Sequence, residues 1–433
     1  MNNFQTILVA IFLAFFVFAV LIFSGLIKIG KDTNTSITGK VVIWGTLPKD
    51  GVGSVVDTIS GSNGDLALSY IKKDASTYED ELVEAFANGN GPDLFIITPE
   101  MIQRNSNFMY KIPYTSFKER DFRNLFVDGA SIYLDNDGVV AYPLVVDPIV
   151  LYYNKDILYN EGIVNPPSTW DELFSLNNSL TKKENNGTIR ESMIALGQYY
   201  NINNAKDILA TLLIQNNNSI VERNDSGYIS TLGSNPNGLE FSPAETVLKF
   251  FVEFSNPSNT AYSWNRSLPN SFDMFTGGKL AFYLGRASEL FNIETVNPNL
   301  SFDVTQIPQI KNSTSKRTFG DIYAIAVNKS SQNIASAFQI AGSLSTGENA
   351  KNLSIALSLP PSLKSLLTDK PDDPYLSTFF DSSLISRSWL DPNGVKSSLV
   401  FGELLDNILS NKLSLKEAID KADGQLNLLN KQQ

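Results

Sequence analysis

The chain has 433 residues, of which 42% are hydrophobic and 18% charged, and these values are typical of a folded protein with two or three domains. Its net charge of −11 at pH 7 argues against a nucleic-acid surface, because such a surface needs clustered lysine and arginine. The chain contains neither cysteine nor histidine, which excludes thiol nucleophiles, Ser-His-Asp triads, structural zinc sites and disulfides.

The N-terminus carries a long apolar segment. Residues 7–27 (ILVAIFLAFFVFAVLIFSGLI) contain no charged side chain and are long enough to cross a hydrocarbon core of about 30 Å as a helix. The start, MNNFQT, has no basic residue and no small-residue cleavage motif follows, which favours an uncleaved anchor over a signal peptide. Lys28 and Lys31 weakly favour a cytoplasmic body. We expect residues 1–37 to form a membrane anchor and tether.

The next elements predict a parallel strand–helix–strand unit. Residues 41–45 (VVIWG) form an apolar run that a loop follows, and a capping box, Ser76-x-x-Glu79, precedes a helical pattern. Residues 93–97 (DLFII) then predict a second buried strand. Short joints between such elements favour a right-handed parallel unit.

Polar residues at the ends of these two strands are candidate site residues. In doubly wound sheets the carboxyl ends of the strands line a ligand crevice. Trp44 lies at the end of the first strand, Thr46 and Lys49 follow it, and Glu100 follows the second strand. The alternative interpretation is that Trp44 packs in the core and that Lys49 is solvated.

An acid stands inside the most apolar part of the chain. Residues 139–153 form two apolar runs that Asp147 and Pro148 separate, and Thr169-x-x-Glu172 then begins a helix. Asp147 is either a turn residue between two strands or a ligand group, since an acid is costly to bury without a purpose.

The second half of the chain continues the alternation of helices and strands. Capping boxes at Ser242-x-x-Glu245 and Ser414-x-x-Glu417 predict two helix starts. Apolar runs predict three strands, which are LAFYLGR ending at Arg286, FDVTQIP, and DIYAIAVN after Gly320. Short strands alternating with helices predict α/β layers.

The order and spacing of these motifs resemble the family 1 extracellular solute-binding proteins of ABC importers, the maltose-binding-like group. The resemblance covers nearly all of the chain after the anchor. The segments that carry it are VVIWG, YEDELVEAFANGNGPDLFII, AYPLVVDPIVLYYNKDIL with NPPSTWDEL, FTGGKLAFYLG, GDIYAIAVN and LSNKLSLKEAIDKADGQLN.

The resemblance implies an α/β, two-lobed periplasmic-binding-protein-like fold with discontinuous lobes and hinge crossings. The apolar run at residues 7–27 predicts an N-terminal transmembrane helix before this fold. Residues 38–143 and 318–362 would form the first lobe, and residues 148–312 and 365–433 the second. A small solute would be held in the cleft between the lobes. The body would be extracytoplasmic and monomeric on a single N-terminal span, and its partners would be the solute, a sugar being favoured, and ABC permease subunits.

The same resemblance implies which residues contact the solute. Aromatic faces suit sugar rings, and carboxylates and amides suit hydroxyl groups. For each aromatic residue, packing in the core or at the rim is the alternative. The expected ligand-binding residues are Trp44, Thr46, Lys49, Glu100, Tyr142, Asp147, Tyr199, Tyr200, Trp264, Arg286, Asp321 and Tyr323.

The expected function is therefore solute binding without covalent chemistry, cofactor or metal. One alternative is a glycosidase or lyase that uses Glu100 and Asp147 as a carboxylate pair. Another is a sensing module that binds a ligand without transporting it. Reducing-sugar release that Glu100→Gln abolishes would favour the enzyme.

Overall fold

The computed structural model describes residues 39–62, 64–225 and 227–432. The predicted anchor at residues 1–37 lies outside the described residues. Within the described ranges, no helix combines the length and the apolar character needed to cross a membrane.

Strands β1 to β14 are numbered along the chain. They are Gly39–Gly45, Leu66–Lys72, Leu94–Ile97, Ile112–Pro113, Gly138–Val139, Tyr142–Asn154, Lys182–Lys183, Ile189–Ile194, Val221–Asn224, Gly227–Ser230, Leu280–Arg286, Phe302–Thr305, Thr318–Val327 and Ser386–Arg387.

Helices α1 to α15 are numbered in the same way. They are Lys49–Gly61, Tyr78–Ala87, Ile102–Asn105, Glu119–Leu125, Lys155–Asn160, Trp170–Leu180, Ala205–Gln215, Pro243–Glu253, Ser271–Thr276, Leu290–Val296, Ile334–Ser345, Gly347–Leu357, Pro374–Leu384, Gly394–Leu409 and Leu415–Asn430. The 3-10 helices of the described residues are Pro99–Met101, Asp128–Tyr133, Ala287–Glu289 and Lys364–Leu366.

Ten strands form one sheet that passes through both lobes. The hydrogen-bonded order is β2-β1-β3-β13-β6-β11-β8-β7, with β12 also paired to β6 and β14 to β13. Strands β1, β2 and β3 are parallel to one another, whereas β13 is antiparallel to both β3 and β6. The parallel unit predicted from the sequence is present, but β2 and α1, which were not predicted, lie between its first strand and its helix along the chain.

Two long strands cross between the lobes. The first half of β6 pairs with β13, from Tyr142 opposite Ile325 to Pro148 opposite Gly320. The second half of β6 pairs with β11 and β12. Asp147 and Pro148 therefore lie inside one continuous strand, and the expectation of a turn between two strands is wrong. The central residues of β6 are buried, so the strand cannot break there without exposing apolar surface.

In each lobe, helices cover that lobe's part of the ten-stranded sheet. Helices α1, α11 and α12 pack on the β1–β3 side, and helices α13, α14 and α15 belong to the side that holds β11 and β12. Strand β3 shows the layering, since Leu94 and Ile96 belong to one apolar cluster and Phe95 and Ile97 to another. A strand buried on both faces is typical of a parallel sheet that helices cover on both sides. The exact lobe boundaries stay a prediction.

The predicted helix starts had mixed outcomes. The capping boxes that begin α8 at Ser242 and α15 at Ser414 are confirmed. The capping box at Ser76 is wrong, because α2 begins after Thr77, which makes no side-chain cap. Glu79, which would have closed that box, forms an ion pair with Arg104 instead.

Candidate functional site

A cavity of about 670 Å³ lies between the two lobes, and we call it the inter-lobe cavity. Its volume is in the range of small-molecule sites, about 300–1,000 Å³. The first lobe contributes the ends of β1 and β3 and the start of α2, the crossing strand β13 contributes two side chains, and the second lobe contributes the end of β11 and the start of α14. The residues used below are Thr46, Glu79, Thr98, Glu100, Arg104, Arg286, Asp321, Tyr323, Asn393, Gly394 and Lys396.

Arg286 lies among three carboxylates on the second-lobe side of the inter-lobe cavity. Its Nε and Nη2 atoms donate to Asp207 Oδ2 at 3.0 and 2.6 Å, and its Nη1 donates to Asp321. Asp147 Oδ2 lies 4.0 Å from Nη1. Burial acts to lower the pKa of Arg286, but the carboxylates of Asp207, Asp321 and Asp147 outweigh it and raise the pKa. The guanidinium therefore stays charged and fixed in one plane.

Lys206 forms a second charged cluster beside the first. Its ammonium lies 2.8 Å from Asp391 Oδ2 and 3.6 Å from Glu100 Oε2, and it donates to the Gly394 carbonyl at 3.1 Å. Burial acts to lower the pKa of Lys206, yet Asp391, Glu100 and Asp207 together raise it. Because Glu100 belongs to the first lobe and Lys206 to α7 of the second, this ammonium connects the lobes across the cavity.

Glu100 lies where the first lobe approaches Gly394 and Lys206 of the second lobe. A Cβ atom placed on Gly394 would lie 2.0 Å from Glu100 Oε2, so a larger residue at this position would force the Glu100 carboxylate to move away from the start of α14. The Glu100 side chain nevertheless keeps 45% of its surface accessible, because it faces the cavity. Desolvation between the lobes raises the pKa of Glu100 to about 7, with Lys206 opposing the rise. Glu100 can therefore accept or donate a hydrogen bond near neutral pH.

Neutral hydroxyl groups complete the polar lining. Burial, with the nearby carboxylates of Asp147 and Asp321, raises the pKa of Tyr323, so its phenol stays protonated. Thr46 and Thr98 line the first-lobe wall. A protonated hydroxyl both donates and accepts, and the cavity therefore offers acceptors, donors and one guanidinium to a polar ligand.

An ion pair borders the cavity at the start of α2. Arg104 donates to Glu79, and its Nη2 lies 3.6 Å from Asp80 Oδ1. Burial raises the pKa of Glu79, and Arg104 opposes that rise. This pair holds α3 against α2 and fixes the first-lobe rim.

Five of the twelve predicted ligand-binding residues line the inter-lobe cavity. They come from four separate places in the chain. They are Thr46, Glu100, Arg286, Asp321 and Tyr323.

Two predicted ligand-binding residues are buried away from the cavity, which corrects the expectation that they face a cleft. Asp147 is 1% exposed and accepts hydrogen bonds from Ser288 N at 2.9 Å and Ser288 Oγ at 2.6 Å. Burial raises the pKa of Asp147 to about 6, against the effects of Arg286 and of the Ser288 hydrogen bonds. Trp264 is fully buried, and its Nε1 donates to Asn201 Oδ1. Asp147 is a positioning residue for the Arg286 segment, and Trp264 is a core residue.

Tyr142 and the tyrosine pair also lie outside the inter-lobe cavity. Tyr142 stacks on Phe117 at a separate cavity. Tyr199 is 9% exposed and bonds Ser398 Oγ at 2.7 Å on α14. Tyr200 is exposed. It lies beside the same helix, since its hydroxyl oxygen would be 2.8 Å from a Cβ atom placed on Gly402. These positions correct the expectation that the three tyrosines point into the cleft.

Trp44 and Lys49 do not line the cavity either. The Lys73 ammonium lies 3.7 Å from the centroid of the Trp44 ring, and this contact covers the indole. Lys49 is the exposed first residue of α1. The alternative interpretation, a packed Trp44 and a solvated Lys49, therefore agrees with where the two side chains lie.

Lys206 and its partner Asp391 were not predicted from the sequence. Lys206 and Asp207 stand at the start of α7, where neither residue follows an apolar strand. Asp391 and Asn393 precede α14, and the Asn393 side chain accepts from Lys396 N at 2.9 Å as an N-cap. The sequence DPNG at 391–394 was the available signal, because Asp, Pro, Asn and Gly together predict a turn before a helix.

Comparison with known proteins gives one family. A sequence model described as bacterial extracellular solute-binding protein matches residues 55–377. A galactooligosaccharide-binding protein of Bacillus subtilis is 21% identical to the chain over 341 residues, which are 78% of this chain and 76% of that protein.

Solved structures give the same fold. A cyclo/maltodextrin-binding protein complexed with maltotetraose matches 92% of this chain and 98% of its own, with a TM-score of 0.71 and 15% identity. The cyclic alpha-maltosyl-1,6-maltose binding protein from Arthrobacter globiformis matches 92% of this chain and 100% of its own, with a TM-score of 0.74 and 16% identity. These likenesses establish the two-lobed α/β fold.

Proposed function

This chain belongs to the bacterial extracellular solute-binding proteins, and on that premise we propose that it captures a carbohydrate in the inter-lobe cavity and presents it to an ABC importer. The family and the similar solved structures are binding proteins, which confirms the prediction that the chain is not an enzyme. The relatives named for galactooligosaccharides and maltodextrins favour a sugar over other solutes.

The observation that carries the proposal is the origin of the cavity lining. Glu100 comes from the first lobe, Asp321 and Tyr323 from the crossing strand, and Arg286 from the second lobe. A ligand that bonds to all four side chains gains contacts from both lobes only when the lobes are closed, so it favours the closed state. We propose these four residues and Thr46 as ligand contacts, with lobes at 38–143 with 318–362 and 148–312 with 365–433.

A sugar titration tests this proposal. We expect the detergent-solubilised full chain to bind maltotetraose or galactooligosaccharides saturably in calorimetry, without release of reducing ends. Glu100→Gln should weaken binding by roughly 10- to 100-fold, because a hydrogen bond to a charged group contributes about 1.5–3 kcal/mol.

A matched control separates this effect from general loss of charge. Glu403→Gln changes an exposed carboxylate that pairs with Lys421, and its sugar affinity should equal that of the parent. Binding of spermidine in place of every sugar tested, or no saturable heat with any sugar, would refute carbohydrate binding.

We further propose that residues 7–27 anchor the body to the cell membrane. The support is sequence alone, an uncharged apolar run of sufficient length. The full chain expressed in bacteria should remain in the membrane fraction after carbonate extraction. Substituting lysine for both Val17 and Leu21 should release it, since a lysine at the centre of a span costs about 2.5–3.5 kcal/mol.

The control for anchoring is the double variant Asn34→Lys/Ser36→Lys, which adds the same two positive charges in the tether. This variant should stay in the membrane fraction with the parent. A secreted parent whose N-terminal residue lies beyond Ile27 would show instead that the segment is a cleaved signal peptide.

A further inference from the structure

A second cavity, of about 540 Å³, lies behind the hinge strands. Side chains alternate along β13, so Ile322 points away from the face on which Asp321 and Tyr323 line the inter-lobe cavity. A Cβ atom on Gly129 would lie 2.8 Å from Ile322 Cδ1, which places the 3-10 helix Asp128–Tyr133 on that opposite face.

We call this space the rear cavity, and it also has walls from both sides of the hinge. The 3-10 helix Asp128–Tyr133 forms one wall, and residues 214–221, at the end of α7 and the loop to β9, form the opposite wall. Arg317, just before β13, and residues 387–390 form its floor. A ligand in the rear cavity would therefore touch both lobes.

Two arginines share the rear cavity. Arg317 Nη1 donates to the Ile214 carbonyl at 3.0 Å and to Asn217 Oδ1 at 2.8 Å, and both acceptors are neutral. Its Nε and Nη2 have no acceptor in the described part of the chain. Arg387 Nη2 bonds Asp128 Oδ2 at 3.0 Å, on a carboxylate that Lys364 also pairs.

The two guanidinium groups are close enough to repel each other. Burial lowers the pKa of Arg387, Asp128 opposes this effect, and the charge of Arg317 lowers the pKa further. Two cations, Arg387 and Lys364, thus share the Asp128 carboxylate, and Arg317 adds a further positive charge without a carboxylate partner among the described residues, in a chain whose net charge is −11. This excess of positive charge suits an anion with several acceptor oxygens.

The loop opposite these arginines is held in a strained conformation. Ile220 has a φ of 64°, which is rare for a β-branched residue, and it is fully buried. Asn218 fixes the loop, since its Oδ1 accepts from Ile220 N at 2.9 Å and its Nδ2 donates to the Leu232 carbonyl at 3.0 Å. Asn217 and Ser219 are thereby presented to the rear cavity. Strain of this kind concentrates at ligand sites.

We propose that the rear cavity binds a small oxyanion, such as phosphate or sulfate, between Arg317 and Arg387. The free N–H groups of Arg317 and the hydroxyl groups of Ser131 and Ser219, which all belong to residues lining the rear cavity, supply donors. Because the anion touches both lobes, it stabilises one hinge angle. The site does not depend on the sugar proposal, since none of its residues lines the inter-lobe cavity.

Calorimetry of the detergent-solubilised full chain with inorganic phosphate, and separately with sulfate, tests the proposal at constant ionic strength in chloride. We expect saturable binding with one anion per chain. Arg317→Gln should weaken it at least about tenfold, because charge-assisted hydrogen bonds to the anion are lost. Arg317 has only neutral acceptors, so this variant leaves no carboxylate unpaired.

Two further variants complete the experiment. Ser219→Glu places a carboxylate in the rear cavity at an exposed position and should abolish binding by repulsion. Arg120→Gln removes an exposed arginine elsewhere and should bind phosphate like the parent. A parent without saturable heat, or Arg317→Gln and Ser219→Glu variants that bind as tightly as the parent, would overturn the proposal.

Discussion

Replacing Arg286 with methionine is expected to lower the free energy of unfolding by about 3–5 kcal/mol at pH 7, the usual cost of removing one partner from a buried ion pair. The guanidinium bonds Asp207, whose side chain is 6% exposed, and Asp321, whose side chain is 14% exposed. Methionine fills much of the volume but leaves these carboxylates, and Asp147, without a cation. Urea denaturation of the parent and the variant measures the difference.

The pH dependence distinguishes an electrostatic cause from a packing cause. Without the guanidinium, the buried carboxylates bind protons more tightly in the folded state than in the unfolded state. Stability then rises as the pH falls, because the folded state takes up more protons. The loss in free energy of unfolding caused by Arg286→Met should therefore be smaller at pH 5 than at pH 8. A loss caused by poorer packing would be the same at both pH values.

Arg266→Met is the matched control for this experiment. Arg266 bonds Asp406 at 2.6 Å, but its side chain is 64% exposed, so the loss should be below about 1 kcal/mol. The double variant Arg286→Met/Asp207→Leu should recover part of the loss, since it removes one of the unpaired acids. An Arg286→Met variant as stable as the Arg266→Met variant would contradict the role of the cluster.

The sequence predicted those parts of the fold that local patterns determine. Apolar runs located β1, β3 and β11, and the Ser242 and Ser414 capping boxes located two helix starts, because the cap atoms lie within one turn. The Ser76 box failed because Ser76 N and Oγ donate to Asp74, and because Arg104, 25 residues from Glu79, pairs with the Glu79 carboxylate. A local motif cannot report a partner that tertiary contact supplies.

The candidate site was only partly predictable for a related reason. Thr46, Glu100 and Arg286 were predictable because each lies at or just after the end of a strand. Strand ends meet at the edge of a sheet whatever packs beside that edge. Asp147 looked like a ligand group, since a buried acid needs a partner, but its partners are Ser288 and Arg286. Lys206 was missed, because its role depends on α7 lying beside the start of α14.

The cluster around Lys206 differs from that around Arg286 in one respect that matters for ligand capture. Arg286 joins carboxylates of the crossing strands and the second lobe, and none of these carboxylates belongs to the first-lobe strand ends. Lys206 pairs with Asp391 in the second lobe but also reaches Glu100 in the first. Its charge therefore contributes both to the stability of the second lobe and to the contact between lobes.

Lys206→Met is accordingly expected to destabilise the protein by about 3–5 kcal/mol at pH 8, since Asp391, whose side chain is 4% exposed, loses its cation. It should also change the pH dependence above neutrality. The pKa of Glu100 is about 7 because desolvation raises it and Lys206 opposes the rise, so removing Lys206 moves it higher. The folded state then holds the Glu100 proton above pH 7, and stability continues to fall as the pH rises there.

Urea denaturation between pH 6 and pH 9 tests this expectation, with the parent and two further variants measured beside Lys206→Met. The parent should show little change in the contribution of Glu100 above about pH 8, where a carboxylate with a pKa of about 7 is almost fully ionised. In the double variant Lys206→Met/Glu100→Gln, the free energy of unfolding should no longer fall with pH above pH 7. It should still be lower than that of the parent, because Asp391 has lost its cation. Lys396→Met removes an exposed lysine of the same cavity and should change stability by less than about 0.5 kcal/mol. Equal slopes in the single and double variants would show that Lys206 does not control the Glu100 proton, and the lobes would then be joined at this point by packing around Gly394 alone.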